Sequence, residues 1–213
     1  MEHGKRAIVV DAGNTRIKVG LFQDSHLQEV HAFSNDELDK LKSYLIKYKD
    51  IPGIISSVRS DKNTKWLKGL LPDSILFNHQ LPVPLTNNYE SPTTLGIDRL
   101  ANAIAAANIS EKNALVIDIG TCIKYDFVRY PKIYEGGSIS PGIELRYRAM
   151  NQFTGKLPFI DDRIQGPFIG KNTLDAMRSG VMNGMHQEMT GFIEEYRSLY
   201  PELTIFLTGG DSQ

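Results

Sequence analysis

A chain of 213 residues can hold one large domain or two small ones with real cores. Its 24 basic and 25 acidic residues leave a formal net charge of -1, which excludes a field strong enough to gather nucleic acid or anionic lipid and points to a small partner. The single cysteine, Cys122, excludes an intrachain disulfide and fits a reducing cytoplasm. No apolar run approaches the length of a membrane span, and the run before Asp11 is too short for a signal segment.

Residues 6–10 read as a buried strand that ends at Asp11, and 16–22 as a returning strand, with Asp11-Ala12-Gly13-Asn14-Thr15 between them. A third strand is expected at 27–33. Residues 35–48 space Leu38, Leu41, Leu45 and Tyr48 as a helix, with Asn35 as its cap. A strand at 54–58, a helix at 61–70 and a strand at 75–77 follow. The proline-rich 81–94 reads as loop, and the alanine-rich 100–107 as helix. The pattern then restarts about half a chain length on. An apolar run at 114–117 ends at Asp118, Gly120-Thr121 turns, and 123–129 returns. Residues 133–138 suggest another strand, after which Ser140 and Pro141 are expected to open a helix. From 173 to 199 an apolar stripe runs through Leu174, Met177, Val181, Met185, Met189, Phe192, Tyr196 and Leu199, with Asn172 as cap. A last strand at 203–207 leads into Thr208-Gly209-Gly210-Asp211. The expected fold is α/β in two coupled halves, divided as 1–112 and 113–213.

The two aspartate turns carry the chemistry. Glycine and short polar side chains after a buried strand let backbone N–H groups approach an anion, and a carboxylate suits Mg²⁺ through water. One such turn could be an ordinary hairpin; two, each behind an apolar strand, suggest walls that face a triphosphate. A third glycine-rich element, 135–142, reads in isolation as a connection more readily than as an anion site. Asp98 and Arg99, at the start of the alanine-rich helix, could supply a proton acceptor and a cation for phosphoryl transfer to an alcohol, or could simply cap the helix. The five histidines show no metal-ligand spacing.

Asp11-Ala12-Gly13-Asn14-Thr15-Arg16-Ile17-Lys18, Tyr89-x-x-Pro92-x-x-Leu95-Gly96-x-Asp98-Arg99, Asp118-x-Gly120-Thr121 and Gly136-Gly137-x-Ile139-x-Pro141-Gly142 occur in that order. Gly155-x-Leu157-Pro158 and Gly170-x-Asn172-Thr173-x-x-Ala176-x-x-Ser179-Gly180 follow. This ordered set resembles the type III pantothenate kinases of the acetate-and-sugar-kinase, Hsp70 and actin superfamily. The resemblance implies an actin-like ATPase fold with two ribonuclease-H-like halves, their mixed sheets flanked by helices. It implies ATP-dependent phosphorylation of pantothenate, with Mg²⁺ accompanying the nucleotide. Asp11, Ala12, Gly13, Asn14, Thr15, Arg16, Ile17, Lys18 and Thr121 would bind ATP. Tyr89, Gly96, Ile97, Asp98, Arg99 and Thr173 would contact pantothenate, with Asp98 as the catalytic proton acceptor. Asp118 would hold a monovalent cation, K⁺ or NH4⁺, and the protein would be a cytoplasmic homodimer.

The chain departs from the family pattern at Ser91, Ile97 and Cys122-Ile123-Lys124. Lys124 sets an extra charge beside the second turn. The family runs on past the segment equivalent to Thr208–Asp211 into a further helical segment. Two other readings fit the same turns: a kinase of the superfamily acting on a sugar or carboxylic acid, and a nucleotide-binding regulator without catalysis.

Overall fold

The structure, a computed structural model, describes residues 5–212. It divides into two compact units, one of the residues up to 83 with 91–101, the other of 84–90 with the residues from 102 onward.

The first unit is built on β1 (Arg6–Ala12), β2 (Arg16–Gln23), β3 (His26–Ser34), β4 (Gly53–Ser57) and β5 (Ser74–Leu76), arranged β3-β2-β1-β4-β5. The first three strands form an antiparallel meander, and β4 and β5 add in parallel, which is the ribonuclease-H-like order. Alternation in β1 and β2 sends Ile8, Val10, Ala12, Ile17 and Val19 to one face, all buried. That face closes on Leu41 and Leu45 of α1 (Leu38–Leu45) and Leu67 of α2 (Asp61–Leu70). The helix expected at 35–48 is shorter than its apolar spacing suggests. It starts at Leu38 and tightens into a 3₁₀ turn at Ile46–Tyr48. Asn35 does not cap it, because its side chain is engaged elsewhere.

The second unit repeats the first four strands of that order, with its fifth strand on the opposite edge. β7 (Asn113–Ile119), β8 (Cys122–Arg129) and β9 (Ile133–Pro141) form the meander, and β10 (Leu203–Thr208) lies parallel to β7. The fifth strand is β6 (Thr86–Asn87), inside the stretch expected to be loop. Its pairing with β9 is why residues 84–90 group with this unit. α3 (Ile97–Ile109) carries the alanines and starts earlier than its apolar run predicts, taking in Asp98 and Arg99. The helix expected at Ser140-Pro141 does not form there. β9 continues through Pro141, and α4 (Ile143–Phe153) begins after Gly142. Pairing of Ser140 and Pro141 with β8 keeps both residues extended.

The long amphipathic stretch is interrupted. α5 (Thr173–Arg178), capped by Asn172 accepting from the Asp175 N–H at 2.9 Å, passes through a π turn (Ser179–Asn183) into α6 (Gly184–Leu199). Met177, Val181 and Met185 are buried at the centre of the stripe, while Leu174 and Leu199 at its ends are exposed. The π turn adds a residue without breaking the stripe. Its Asn183 amide donates to the Ser179 hydroxyl, which in turn donates to the Phe168 carbonyl.

Glu188 of α6 ties three elements together. Its carboxylate accepts from the Tyr125 hydroxyl at 2.9 Å, from the Ser140 hydroxyl, and from the Arg146 guanidinium, with which it forms an ion pair. Partial burial works to raise its pKa. The bonds from Ser140, Arg146 and Tyr125 together outweigh that and hold the carboxyl below its ordinary value. A depressed folded pKa means the stabilisation is complete above the unfolded value near 4.5 and is lost as pH falls through the folded one. Glu188→Gln is expected to remove about 2 kcal/mol at neutral pH. It should also flatten the acid limb of a stability–pH curve below that value, and denaturant melts at pH 7 and pH 3–4 check both.

Candidate active site

The first turn lies between β1 and β2, where strand register sets Asp11 directly across from Lys18. Asp11, Asn14, Thr15, Arg16 and Lys18 are exposed, while Ala12 and Ile17 are buried beneath them. What positions the turn is a set of bonds from behind. The Val58 N–H donates to the Ala12 carbonyl at 3.1 Å, and Arg59 Nε donates to the Gly13 carbonyl at 2.7 Å. Asn35 Nδ2 donates to the Asn14 carbonyl at 3.2 Å, and Arg59 Nη2 reaches that carbonyl at 3.5 Å and Asn35 Oδ1 at 2.6 Å. In a trans peptide the C=O and the following N–H point opposite ways. With the carbonyls of residues 12, 13 and 14 held on one side, the N–H groups of Gly13, Asn14 and Thr15 are directed to the other. That is a nest of donors suited to phosphate oxygens. Arg59 and Asn35 were not identifiable as site residues from sequence, since their partners lie 21 to 46 positions away. Arg59→Ala is expected to raise KM for ATP about tenfold through loss of a charged hydrogen bond. KM for the acceptor substrate should stay within about twofold, and steady-state kinetics with each substrate varied checks this.

Asp98 and Arg99 belong to the first turn of α3 in the first unit's set of residues. Asp98 Oδ1 accepts the Arg99 N–H at 2.9 Å, and Arg99 is buried. A Cβ on Gly96 would come within 2.6 Å of Asp98 Oδ1, so the missing side chain at 96 makes room for the carboxylate. The Leu100 N–H donates to the Gly96 carbonyl at 3.1 Å, which starts the helix at this point. Ile97, which departs from the family pattern, is buried.

In the second unit, Tyr89 follows β6. Its N–H donates to Asn87 Oδ1 at 3.0 Å, and its ring lies 6.1 Å from that of Tyr134. Gly136, at φ 104, passes beside the ring, where a side chain would be strained and would approach Tyr89 Cδ2 to 3.3 Å. Asn88 next to it donates to Glu135 at 3.0 Å, and this bond, with the Arg129 guanidinium behind it, holds the Glu135 carboxyl below its ordinary value. Thr121 is exposed on the second turn, and Thr173 is exposed as the first residue of α5. Cys122 is a half-buried free thiol.

The second turn shares with the first a lysine set by register across from its aspartate. Asp118 is paired in register with Lys124, and the Lys124 Nζ lies 2.7 Å from Asp118 Oδ2. Asn102 Nδ2 donates to the same oxygen at 3.4 Å. The ammonium cannot ligate a metal ion, and Asn102 turns its N–H group rather than its oxygen to the carboxylate. The surroundings of this carboxylate therefore do not fit the monovalent cation expected at Asp118. Mg²⁺ travelling with a nucleotide makes a smaller demand, one carboxylate through water, and exposed Asp11 beside the donor nest fits it. Among the described residues no group of three or more histidine, cysteine and carboxylate side chains could hold a metal unaided.

Two sheets built on the ribonuclease-H-like meander, each with an aspartate turn between the first two strands of that meander, define the actin-like ATPase fold class. The profile of the type III pantothenate kinase family matches residues 7–195. A type III pantothenate kinase from Phocaeicola vulgatus is 44% identical over 96% of this chain and 86% of its own length. One from Flavobacterium johnsoniae is 39% identical over 97% and 86%. The chain belongs to the type III pantothenate kinase family. Among solved structures, a conserved Baf family protein from Campylobacter jejuni superposes with a TM-score of 0.61 at 21% identity, covering 96% of this chain and 83% of that one. At that identity the likeness speaks to the fold alone.

Proposed function

We propose that the chain transfers the γ-phosphoryl group of ATP to the hydroxyl of pantothenate, giving 4'-phosphopantothenate, the first step of coenzyme A biosynthesis. The observation that carries this reading is the donor nest of the first turn, held from behind by Arg59 and Asn35, in a member of this family. The N–H groups of residues 13–15 and the Lys18 ammonium receive the phosphates, with Thr121 as a further nucleotide contact. Tyr89, Gly96, Ile97, Arg99 and Thr173 orient pantothenate. Asp98 accepts the hydroxyl proton as the oxygen attacks phosphorus in line, and the leaving ADP carries the displaced charge. Mg²⁺, held through water at Asp11, would neutralise phosphate charge. Positioning and charge stabilisation supply most of the rate, and no covalent intermediate forms.

Exposed Phe153, Phe168 and Ile169 in the second unit support the homodimeric state, which light scattering checks. No helix among the described residues is long and apolar enough to cross a membrane, and the single cysteine supports a cytoplasmic location. Fractionation of cells followed by blotting checks that placement.

The test is phosphopantothenate formation with Mg-ATP, read directly by ³¹P NMR. Phosphorylation of acetate or a hexose in place of pantothenate would assign the chain to another kinase activity of the superfamily. ATP binding with no product from any acceptor would favour a nucleotide-binding regulator.

A further inference from the structure

We propose that the ammonium of Lys124 takes the place of a monovalent metal or ammonium ion at Asp118, so that the reaction proposed above, on which this inference rests, needs no added monovalent cation. The β7–β8 register puts the two residues directly opposite each other, on one face of the sheet. Their charged groups meet at 2.7 Å, with only 15% of the Asp118 and 17% of the Lys124 side chain exposed. The Asn102 amide approaches the same carboxylate oxygen from α3. A primary ammonium carries one positive charge and three N–H donors, so it satisfies carboxylate lone pairs as a bound cation would. A second cation placed on Asp118 would face the lysine charge across a short, poorly solvated gap, where repulsion is weakly screened.

The two turns share this register, and at the second the two charges meet directly. Asp11-Ala12-Gly13-Asn14-Thr15-Arg16-Ile17-Lys18 and Asp118-Ile119-Gly120-Thr121-Cys122-Ile123-Lys124 differ by one residue in length, and register sets a lysine across from the aspartate in both. The cation at the second turn is thus part of the chain. Being tethered, it is present at any salt composition.

The test uses the whole protein exchanged into choline chloride. Replacing choline by about 100 mM KCl at constant ionic strength should change wild-type phosphopantothenate formation by less than about twofold, read by ³¹P NMR. Lys124→Met keeps the length and removes the charge. It should lose about tenfold or more in choline and recover in KCl or NH4Cl. Melting curves give a readout independent of catalysis. The same exchange should leave the wild-type Tm unchanged and raise that of Lys124→Met, because an ion that binds only the folded state stabilises it. A wild-type protein whose activity or Tm rises with KCl overturns the proposal. If Lys124→Met does not fold, Lys124→Gln replaces it, and the wild-type comparison decides in either case. Absence of product in every salt would instead sink the kinase reading, and the melting comparison would still decide the role of Lys124.

Discussion

Asp98→Asn is expected to lower kcat by about 10²- to 10⁴-fold, the range attributable to a general base. The substitution is nearly isosteric. Its side-chain oxygen can still accept the Arg99 N–H, as the carboxylate does at 2.9 Å, so the first turn of α3 should be preserved. What it loses is the capacity to take a proton. Binding of both substrates should therefore change little, and the loss should fall on kcat and kcat/KM alike. Far-UV circular dichroism and a melting temperature within a few degrees of wild type would establish that the fold survives. A variant with near-wild-type turnover would remove Asp98 from the proton-acceptor role and leave it as a helix-terminus residue.

Gly142→Ala is expected to destabilise the second unit by about 3 kcal/mol, in the range of severe single substitutions. Backbone conformation is not the reason, for Gly142 has φ -76 and ψ -177, which any residue adopts. Space is the reason. A Cβ at 142 would sit 2.0 Å from the Gly120 carbonyl oxygen and 2.8 Å from that of Thr121. The Gly142 N–H also donates to the Thr121 carbonyl at 3.0 Å. Every contacting atom is backbone, so relief requires the second turn to move. Denaturant melts should show the loss of stability, and KM for ATP should rise because Thr121 moves with the turn. Gly69→Ala is the control. It lies inside α2, where a Cβ meets nothing within 4 Å, and helix propensity predicts a gain of up to about 1 kcal/mol. A Gly142→Ala protein as stable as wild type would show that the approach of α4 to the turn is not tight in solution.

The two candidate turns could be read before folding. Asp11–Lys18 and Asp118–Thr121 were recognisable because a strand ending in Asp-x-Gly is a local signal, set by alternation and turn chemistry within a few residues. The elements that carry them form where expected: β1 and β2 around the first turn, and β7 and β8 around the second. The departures come from competition between local preference and pairing. Ser140-Pro141 has the chemistry of a helix start, yet β8 claims both residues for the sheet. Asn35 has the chemistry of a cap, yet Asn14 and Arg59 claim its side chain. The residues 84–90 look like loop because a two-residue strand has no period to detect.

From the sequence alone came the α/β class, the aspartate turns and the family, because each is written in spacing over short windows or in motifs in a fixed order. Only the tertiary structure decided what stands behind and beside those turns. Arg59 reaches Gly13 across 46 positions and Glu188 reaches Tyr125 across 63, and no local pattern marks either pair. The same holds for Lys124. In the sequence it is one extra charge after the second turn. Strand register turns it into the direct neighbour of Asp118, because residues across a β-ladder share a face and their side chains must meet.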